Sequence, residues 1–560
     1  MTTTAKPARE KKPLTFFNLP WPIFLIITVI TLLTTYLGVL PAGMAGCFLF
    51  MMVLGEILQW IGDHTPIIKS YLGGGAIVCI FGAGLLVFAN LIPAYNTVKA
   101  KAPSDASKAV SALVDSVNTG VNSMLKDSKV TRETGKEFTT VVKGNGNKPI
   151  TITLTFDSDK AIETVKVNAE GQDEDAVEYA ASEDFTKQYV GKKGYNMFLP
   201  FGNVDLVGNI GTFFKTEGGF LDWYIAALIT GSILGMNRKL LMKAAARYFP
   251  AIFGGLILAF ALCCGVAAIM GYPVMNALLL VALPIMGGGM GAGATPLSKI
   301  FETSSSMSAA QALSIMTPAV AIGNAVSIVL AGVLVKIIRG KMNGNGALMQ
   351  SGSMDPKELE ISPEMQQKRE KIDIKNLGIG LLVSGAFFAW GFILAGIWKA
   401  LVPSITIHAY AWMIITVAVC KVTGIVPEKI EIACYQWFQF VMKNLTPMLL
   451  IGIGICYLDI GTVISSFSLT YLLLCAATCI GAFVGAALIG KLVGFYPFES
   501  GITAGLCMSN MGGTGDVAVL SSAKRMELMP FAQISSRLGG AIILLLASLM
   551  LSVLAQFIIV

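Results

Sequence analysis

Two short glycine-rich stretches, each inside long apolar sequence, constrain this 560-residue chain more than any other feature. One reads Met286-Gly-Gly-Gly-Met-Gly-Ala-Gly-Ala-Thr-Pro-Leu-Ser298, the other Asn510-Met-Gly-Gly-Thr-Gly-Asp-Val-Ala-Val-Leu-Ser521. Each holds a Gly-Gly-x-Gly core, starting at Gly288 and at Gly512. Each is followed by a second shared pattern, Met307-Ser-Ala-Ala-Gln-Ala-Leu-Ser314 and Met529-Pro-Phe-Ala-Gln-Ile-Ser-Ser536. The pattern predicts a repeat of one structural unit. Glycine-broken apolar segments at matching places in two halves of a membrane protein point to a transporter's substrate site.

Composition places the chain in the bilayer. Hydrophobic residues make up 54% and charged residues 13%, about half the charged share of a soluble domain. Eleven runs are long enough to cross about 30 Å of hydrocarbon: 21–39, 42–61, 72–93, 220–236, 249–270, 313–338, 376–398, 405–426, 438–458, 468–491 and 538–560. The two glycine stretches are too short and broken to span. They are expected to be re-entrant hairpins, whose non-helical backbone must be buried in protein or line a cavity.

The predicted fold class is therefore a polytopic α-helical membrane protein with about eleven spans, a repeat and two hairpins. Basic residues set its orientation. The tail carries Lys6, Arg9, Lys11 and Lys12; Arg238, Lys239, Lys243 and Arg247 form a second cluster; Lys336, Arg339 and Lys341 form a third. A cytoplasmic N-terminus puts all three inside and the C-terminus outside. The expected parts are a tail at 1–18, three spans in 19–94, an outer insertion at 95–218, the rest of the first repeat at 219–338, a cytoplasmic linker at 339–375 and a second repeat at 376–560.

The outer stretch reads as a small α+β domain. Val110, Leu113, Val114, Val117, Val121 and Met124 follow a helical period between Ser104 and Lys126. Ile150, Ile152, Leu154 and Phe156 alternate with threonines as in a strand, Val165 and Val167 suggest another, and 173–190 reads as a helix.

Few residues can do chemistry. The ten cysteines all lie in apolar segments and there are two histidines, His64 and His408. Neither transition-metal nor nucleic-acid binding is expected, nor an enzyme or an ATP-driven pump. Broken helices present free N–H groups that favour anions. The substrate-binding backbone is therefore expected at Gly288, Gly289, Gly291, Gly512, Gly513, Thr514 and Gly515. Arg537 opens the last span, where an arginine is costly unless paired or functional. Its fork suits a carboxylate, and the matching position in the first repeat is Ile315. Asp516, whose counterpart is Ala292, reads as a sodium ligand with Asn510 and Ser521, or as a proton carrier.

These residues resemble the 2-hydroxycarboxylate transporter family. The resemblance rests on Glu499-Ser-Gly-Ile-Thr-Ala-Gly-Leu-Cys-Met-Ser-Asn-Met-Gly-Gly-Thr-Gly-Asp, on Pro530-Phe-Ala-Gln-Ile-Ser-Ser-Arg-Leu-Gly-Gly, and on Pro284-Ile-Met-Gly-Gly-Gly-Met-Gly-Ala-Gly-Ala. It implies carriage of citrate, malate or lactate with sodium or protons and no further cofactor. It also implies two inverted repeats, a homodimer in the cell membrane and an elevator movement. The family's substrate arginine matches Arg537 and its preceding serine Ser536. The family's citrate carriers have a second arginine where this chain has Met511, which points to a dicarboxylate such as malate. A citrate carrier or a dicarboxylate/lactate exchanger is the alternative. Ordinary members lack an outer domain of this size. Its strands are faintly similar to flavin-mononucleotide domains of membrane redox complexes, but the Ser/Thr-Gly-Ala-Thr acceptor is missing. A redox component or a sensor would be readings of a different class.

Overall fold

A computed structural model of the chain describes residues 15–554 and 558, except 17–18, 67, 69–73, 128–129, 131–132, 196, 198, 217–218, 237, 306, 339–341, 351–362, 404–406 and 467. Most of the expected tail and part of the linker therefore lie outside the described residues. So do Arg339 and Lys341, and the side chains of Lys239, Lys243 and Arg247.

The chain divides into two compact units, one of residues 22–50 and 86–212, the other of 1–21, 51–85 and 213–560. The division differs from the expected boundaries, because 22–50 clusters with the insertion.

The smaller unit contains α1 (Trp21–Tyr36), the start of α2 (Met44–His64), α4 (Lys108–Lys126), strands β1 (Phe138–Lys143), β2 (Pro149–Phe156) and β3 (Ile162–Asn168), and α5 (Glu174–Ala181). The strands form one antiparallel sheet in the order β1-β2-β3. Ile150, Ile152, Leu154 and Phe156 alternate inward and are fully buried, against the apolar stripe of α4. Ser107 caps α4 by accepting from Val110 N–H at 3.3 Å, so the helix starts later than the expected Ser104. Asn118 and Asn122, one turn apart on α4, hold the extended segment 98–100. Asn118 accepts from Ala100 N–H (2.8 Å) and Asn122 from Val98 N–H (2.9 Å). The expected helix 173–190 breaks at Ser182, whose extended backbone ends α5 while its hydroxyl caps the next turn. Strand β1 was not expected from sequence.

The larger unit is helical. It holds the rest of α2, α3 (Gly75–Phe88), α7 (Phe220–Leu234), α8 (Arg238–Ile269), α9 (Val274–Ile285), α10 (Thr295–Ser304), α11 (Ala309–Ile337), α12 (Pro363–Glu370), α13 (Ile374–Leu401), α14 (Ala409–Thr423), α15 (Glu428–Cys456), α16 (Leu469–Leu492), α17 (497–506), α18 (Gly513–Ser522) and α19 (Phe531–Leu554). A further short helix, α6 (Leu206–Lys215), leads into it. Among the described residues, seven helices are long and apolar enough to cross a membrane and five apolar helices are shorter. This is a multi-pass membrane protein.

Small residues set the packing, as expected where lipid is as apolar as leucine. At the α8–α16 contact a Cβ on Gly485 would stand 2.1 Å from the Gly254 carbonyl oxygen. Between α13 and α15, one on Gly380 would stand 2.6 Å from the Ala433 carbonyl. Polar side chains link helices too: Tyr224 of α7 meets Thr446 of α15 at 2.7 Å. The Arg238 guanidinium donates to the last carbonyls of α14, at Val422 and Thr423 (3.1 Å each), which suits a cation at a helix C-terminus.

Candidate functional site

Both glycine stretches are breaks between two helices. In the first, α9 ends at Ile285 and a π-helical turn, Met290–Ala294, leads into α10. Gly288 and Gly289 have φ of +76° and +109°. In the second, α17 gives way before Gly512 (φ +68°), which opens α18. A side chain at such φ is strained, so the local sequence is tied to glycine.

The two breaks touch. A Cβ on Gly288 would lie 2.5 Å from the Ser536 carbonyl oxygen, and one on Gly289 2.8 Å from the Met511 carbonyl oxygen. Gly540 of α19 approaches the Gly287 carbonyl as closely, at 2.8 Å for its Cβ position. Repeated glycines thus allow backbone from both halves to meet at one point, beside the start of α19. We expect Gly288→Ala to cost at least about tenfold in uptake, because positive φ alone costs about 1–2 kcal/mol in an L-residue and the new methyl meets backbone. Unchanged uptake by the variant, measured in proteoliposomes, would refute this tight crossing.

Beside the crossing is a cavity of about 650 Å³, the size of a small-molecule site. Gly288, Gly291, Gly512, Asp516, Ser536 and Arg537 line it. Ser536 and Arg537 sit in another π-helical turn, Ser535–Gly539; such turns often mark functional sites. The half-buried Arg537 stacks 5.6 Å from the Phe438 ring centroid and makes no hydrogen bond or ion pair with any described group.

Asp516 does not pair with it. The fully buried carboxylate accepts from Asn510 Nδ2 (3.0 Å) and Ser536 Oγ (2.9 Å). Asn510 Oδ1 in turn accepts from Gly512 N–H at 2.7 Å. Asn324, from the middle of α11, accepts from Met511 N–H at 3.1 Å and lies against Gly515. The result is an oxygen-rich knot under the second break.

The structure brings Gly288, Gly289, Gly291, Gly512, Gly515, Asn510, Asp516, Ser536 and Arg537 to one locality. Gly513 and Thr514 open α18 there, but their side chains are outside the described ones. The structure does not bring Ser521 to this group. It follows Asp516 by five residues on α18, about 140° around the helix, and is exposed, whereas Ser536 donates to Asp516. Sequence reasoning missed Asn324, Tyr224, Phe438 and Lys443, of which the last three line the cavity. An asparagine within an apolar helix is itself a signal that could have identified Asn324.

Comparison with known proteins fits this geometry. A profile described as the 2-hydroxycarboxylate transporter family matches residues 16–117 and 197–549, leaving much of the α+β region outside the match. The chain is 29% identical over 557 residues to the citrate/sodium symporter of Salmonella typhimurium, covering 98% of this chain and 97% of that protein. It is 29% identical over 533 residues to the malate transporter MleP of Lactococcus lactis, covering 95% and 96%. To the citrate transporter CitP of Leuconostoc mesenteroides it is 28% identical over 532 residues, covering 94% and 91%. All three are transporters and none is an enzyme by name. With a profile matched on both sides of the insertion and through both glycine breaks, the chain belongs to the 2-hydroxycarboxylate transporter family.

Proposed function

We infer that this protein is a secondary carrier of a small 2-hydroxy-dicarboxylate, with malate the favoured substrate, driven by sodium or protons. The observation that carries the reading is Arg537: a cation facing a cavity, with no carboxylate in ion-pair contact among the described residues. An unpaired guanidinium there fits a carboxylate brought from outside. Lys443 lines the same cavity and has no described ion-pair partner, so a second carboxylate could also find a cation. The α-hydroxyl has the crossing backbone and Ser536 nearby.

Asp516, Asn510, Ser536 and Asn324 form the coupling site in this reading. Their oxygens suit sodium, and Asp516 alone could carry a proton. Eleven of the apolar helices cross the membrane, α9 belongs with the first of the two broken segments that re-enter it, and the two halves are inverted repeats. The N-terminus is cytoplasmic, and the C-terminus and residues 95–218 are outside. The protein works as a homodimer in the cell membrane, moving substrate by an elevator step. Counterflow in proteoliposomes, run with malate, citrate and lactate and with or without a sodium gradient, tests the reading. Failure of all three acids to exchange would overturn it.

Met511 should help to exclude citrate. A third carboxylate buried without a counter-charge is costly, and Met511 lines the cavity where an arginine would stand in a citrate carrier. Malate is expected to displace labelled substrate at least about tenfold better than citrate, and Met511→Arg to narrow that gap. Equal competition by the two acids in the unaltered protein would refute the role.

The α+β region serves as an accessory in this reading. Its ends meet at the Tyr95↔Tyr195 bridge, where Asn96 N–H donates to the Gly194 carbonyl at 2.7 Å. A short Gly/Ser linker can therefore replace residues 97–193. Substrate affinity should stay within about threefold, less than about 1 kcal/mol. Loss of all transport in a correctly inserted, dimeric deletion variant would show that the region belongs to the path.

A further inference from the structure

A second cavity of about 560 Å³ shares no lining residue with the Arg537 cavity. Its walls come from the end of α6, the start of α7, α10, the end of α13 and the start of α14. Three lysines line it: Lys215, Lys299 and Lys399. Two carboxylates line it too, but both are engaged. Asp222 is buried and accepts from the Tyr410 hydroxyl, and Glu302 lies 3.4 Å from Lys299.

Two of the three cations, Lys215 and Lys399, have no protein anion in ion-pair reach among the described residues. Lys299 is largely buried, with 13% of its side chain exposed, and also donates to the Lys215 carbonyl at 3.2 Å. Lys215 rests over the Tyr457 ring, 4.8 Å from its centroid, with no described carboxylate in ion-pair reach. Lys399 makes no hydrogen bond or ion pair with any described group. His408 adds a neutral donor. Its Nδ1 accepts from Tyr410 N–H at 3.2 Å, which leaves the proton on Nε2 in the neutral ring.

Three ammonium groups against two carboxylates leave one positive charge in excess around the concavity, and with the imidazole N–H they make a receptor for a small anion. The stem of Lys299 is held in the wall, so little side-chain freedom is lost when the anion binds. Point-charge lysines, unlike a forked arginine, accept carboxylates in varied orientations. That suits a loading site better than a discriminating one.

We propose that the cavity among Lys215, Lys299, Lys399 and His408 is a second binding site for small dicarboxylates, separate from the Arg537 cavity. It joins α10, which follows the first glycine break, to α13 and α14. An anion seated there bridges Lys299 to Lys399 and holds those helices together. This inference does not need Arg537 to be the substrate clamp.

Calorimetric titration of the purified full chain with malate tests it. The Arg537→Gln chain should still bind one malate per chain. Adding Lys299→Gln and Lys399→Gln should weaken that residual binding at least about tenfold. Lys399→Gln alone, at an exposed position, should weaken it measurably without affecting folding. No malate binding by the Arg537→Gln chain would overturn the proposal, as would residual binding indifferent to the lysine changes. Two malates per chain in Arg537→Gln, one of them lost with the lysines, would instead support this site and overturn the role given to Arg537.

Discussion

Replacing Arg537 by alanine should weaken malate uptake by roughly 30-fold or more. Removing one partner of a desolvated, hydrogen-bonded charge pair costs about 2–5 kcal/mol, and each 1.4 kcal/mol is a factor of about ten. The guanidinium makes no ion pair with a described carboxylate and lines the cavity beside Gly288 and Gly512. Arg537→Lys separates charge from shape. It keeps the cation but loses the two parallel donors, so affinity should still fall at least about tenfold. Uptake kinetics in proteoliposomes should show the loss mainly in KM for the lysine variant. Kinetics unchanged by either substitution would remove Arg537 from the site.

Glu499→Ala should release the start of the linker from the second glycine break. Glu499 is fully buried. One carboxylate oxygen accepts from Arg525 Nε (3.2 Å) and Gly346 N–H (3.3 Å), the other from Gly344 N–H (2.8 Å). Arg525 extends the same network to Asn343 Oδ1 at 2.8 Å. Breaking a buried pair by removing one partner costs about 3–5 kcal/mol, because Arg525 would be left as an uncompensated charge. Local opening at 343–346 should rise by at least about a hundredfold, seen as faster hydrogen exchange at Gly344 and Gly346. Glu499→Gln retains an acceptor and should fall between. Exchange rates equal to those of the unaltered chain would show that the network does not hold this segment.

The helices were legible because apolar runs of membrane length have few alternatives. Their polar ends were not. Helix α8 begins at Arg238, well before the expected 249, since a basic turn continues a helix without being apolar. Helix α15 begins at Glu428, before the expected 438, because its first turns are amphipathic. Strand β1 escaped notice for a different reason. Its Phe138-Thr-Thr-Val-Val-Lys143 becomes a strand through pairing with β2 in register Thr140↔Ile152, and pairing is a tertiary event.

At the site, residue type spoke clearly where chemistry allows few substitutes. Glycine at positive φ, arginine in an apolar helix and aspartate after a glycine run each stood out. Spacing misled at Ser521, because five helical residues turn about 140° and carry it around the helix from Asp516.

By itself, then, the chain determined a multi-pass helical protein with two glycine breaks and a cationic residue in the last span. Hydrophobicity and backbone sterics act locally, so sequence carries them. Only the tertiary structure decided that Gly288 meets Ser536 and Gly289 meets Met511, that Asp516 belongs to Asn510 and Ser536 instead of Arg537, and that Asn324 joins them. Those contacts join residues up to about 250 positions apart. They depend on how helices cross and on the π-helical turn that holds Arg537, which no local pattern encodes.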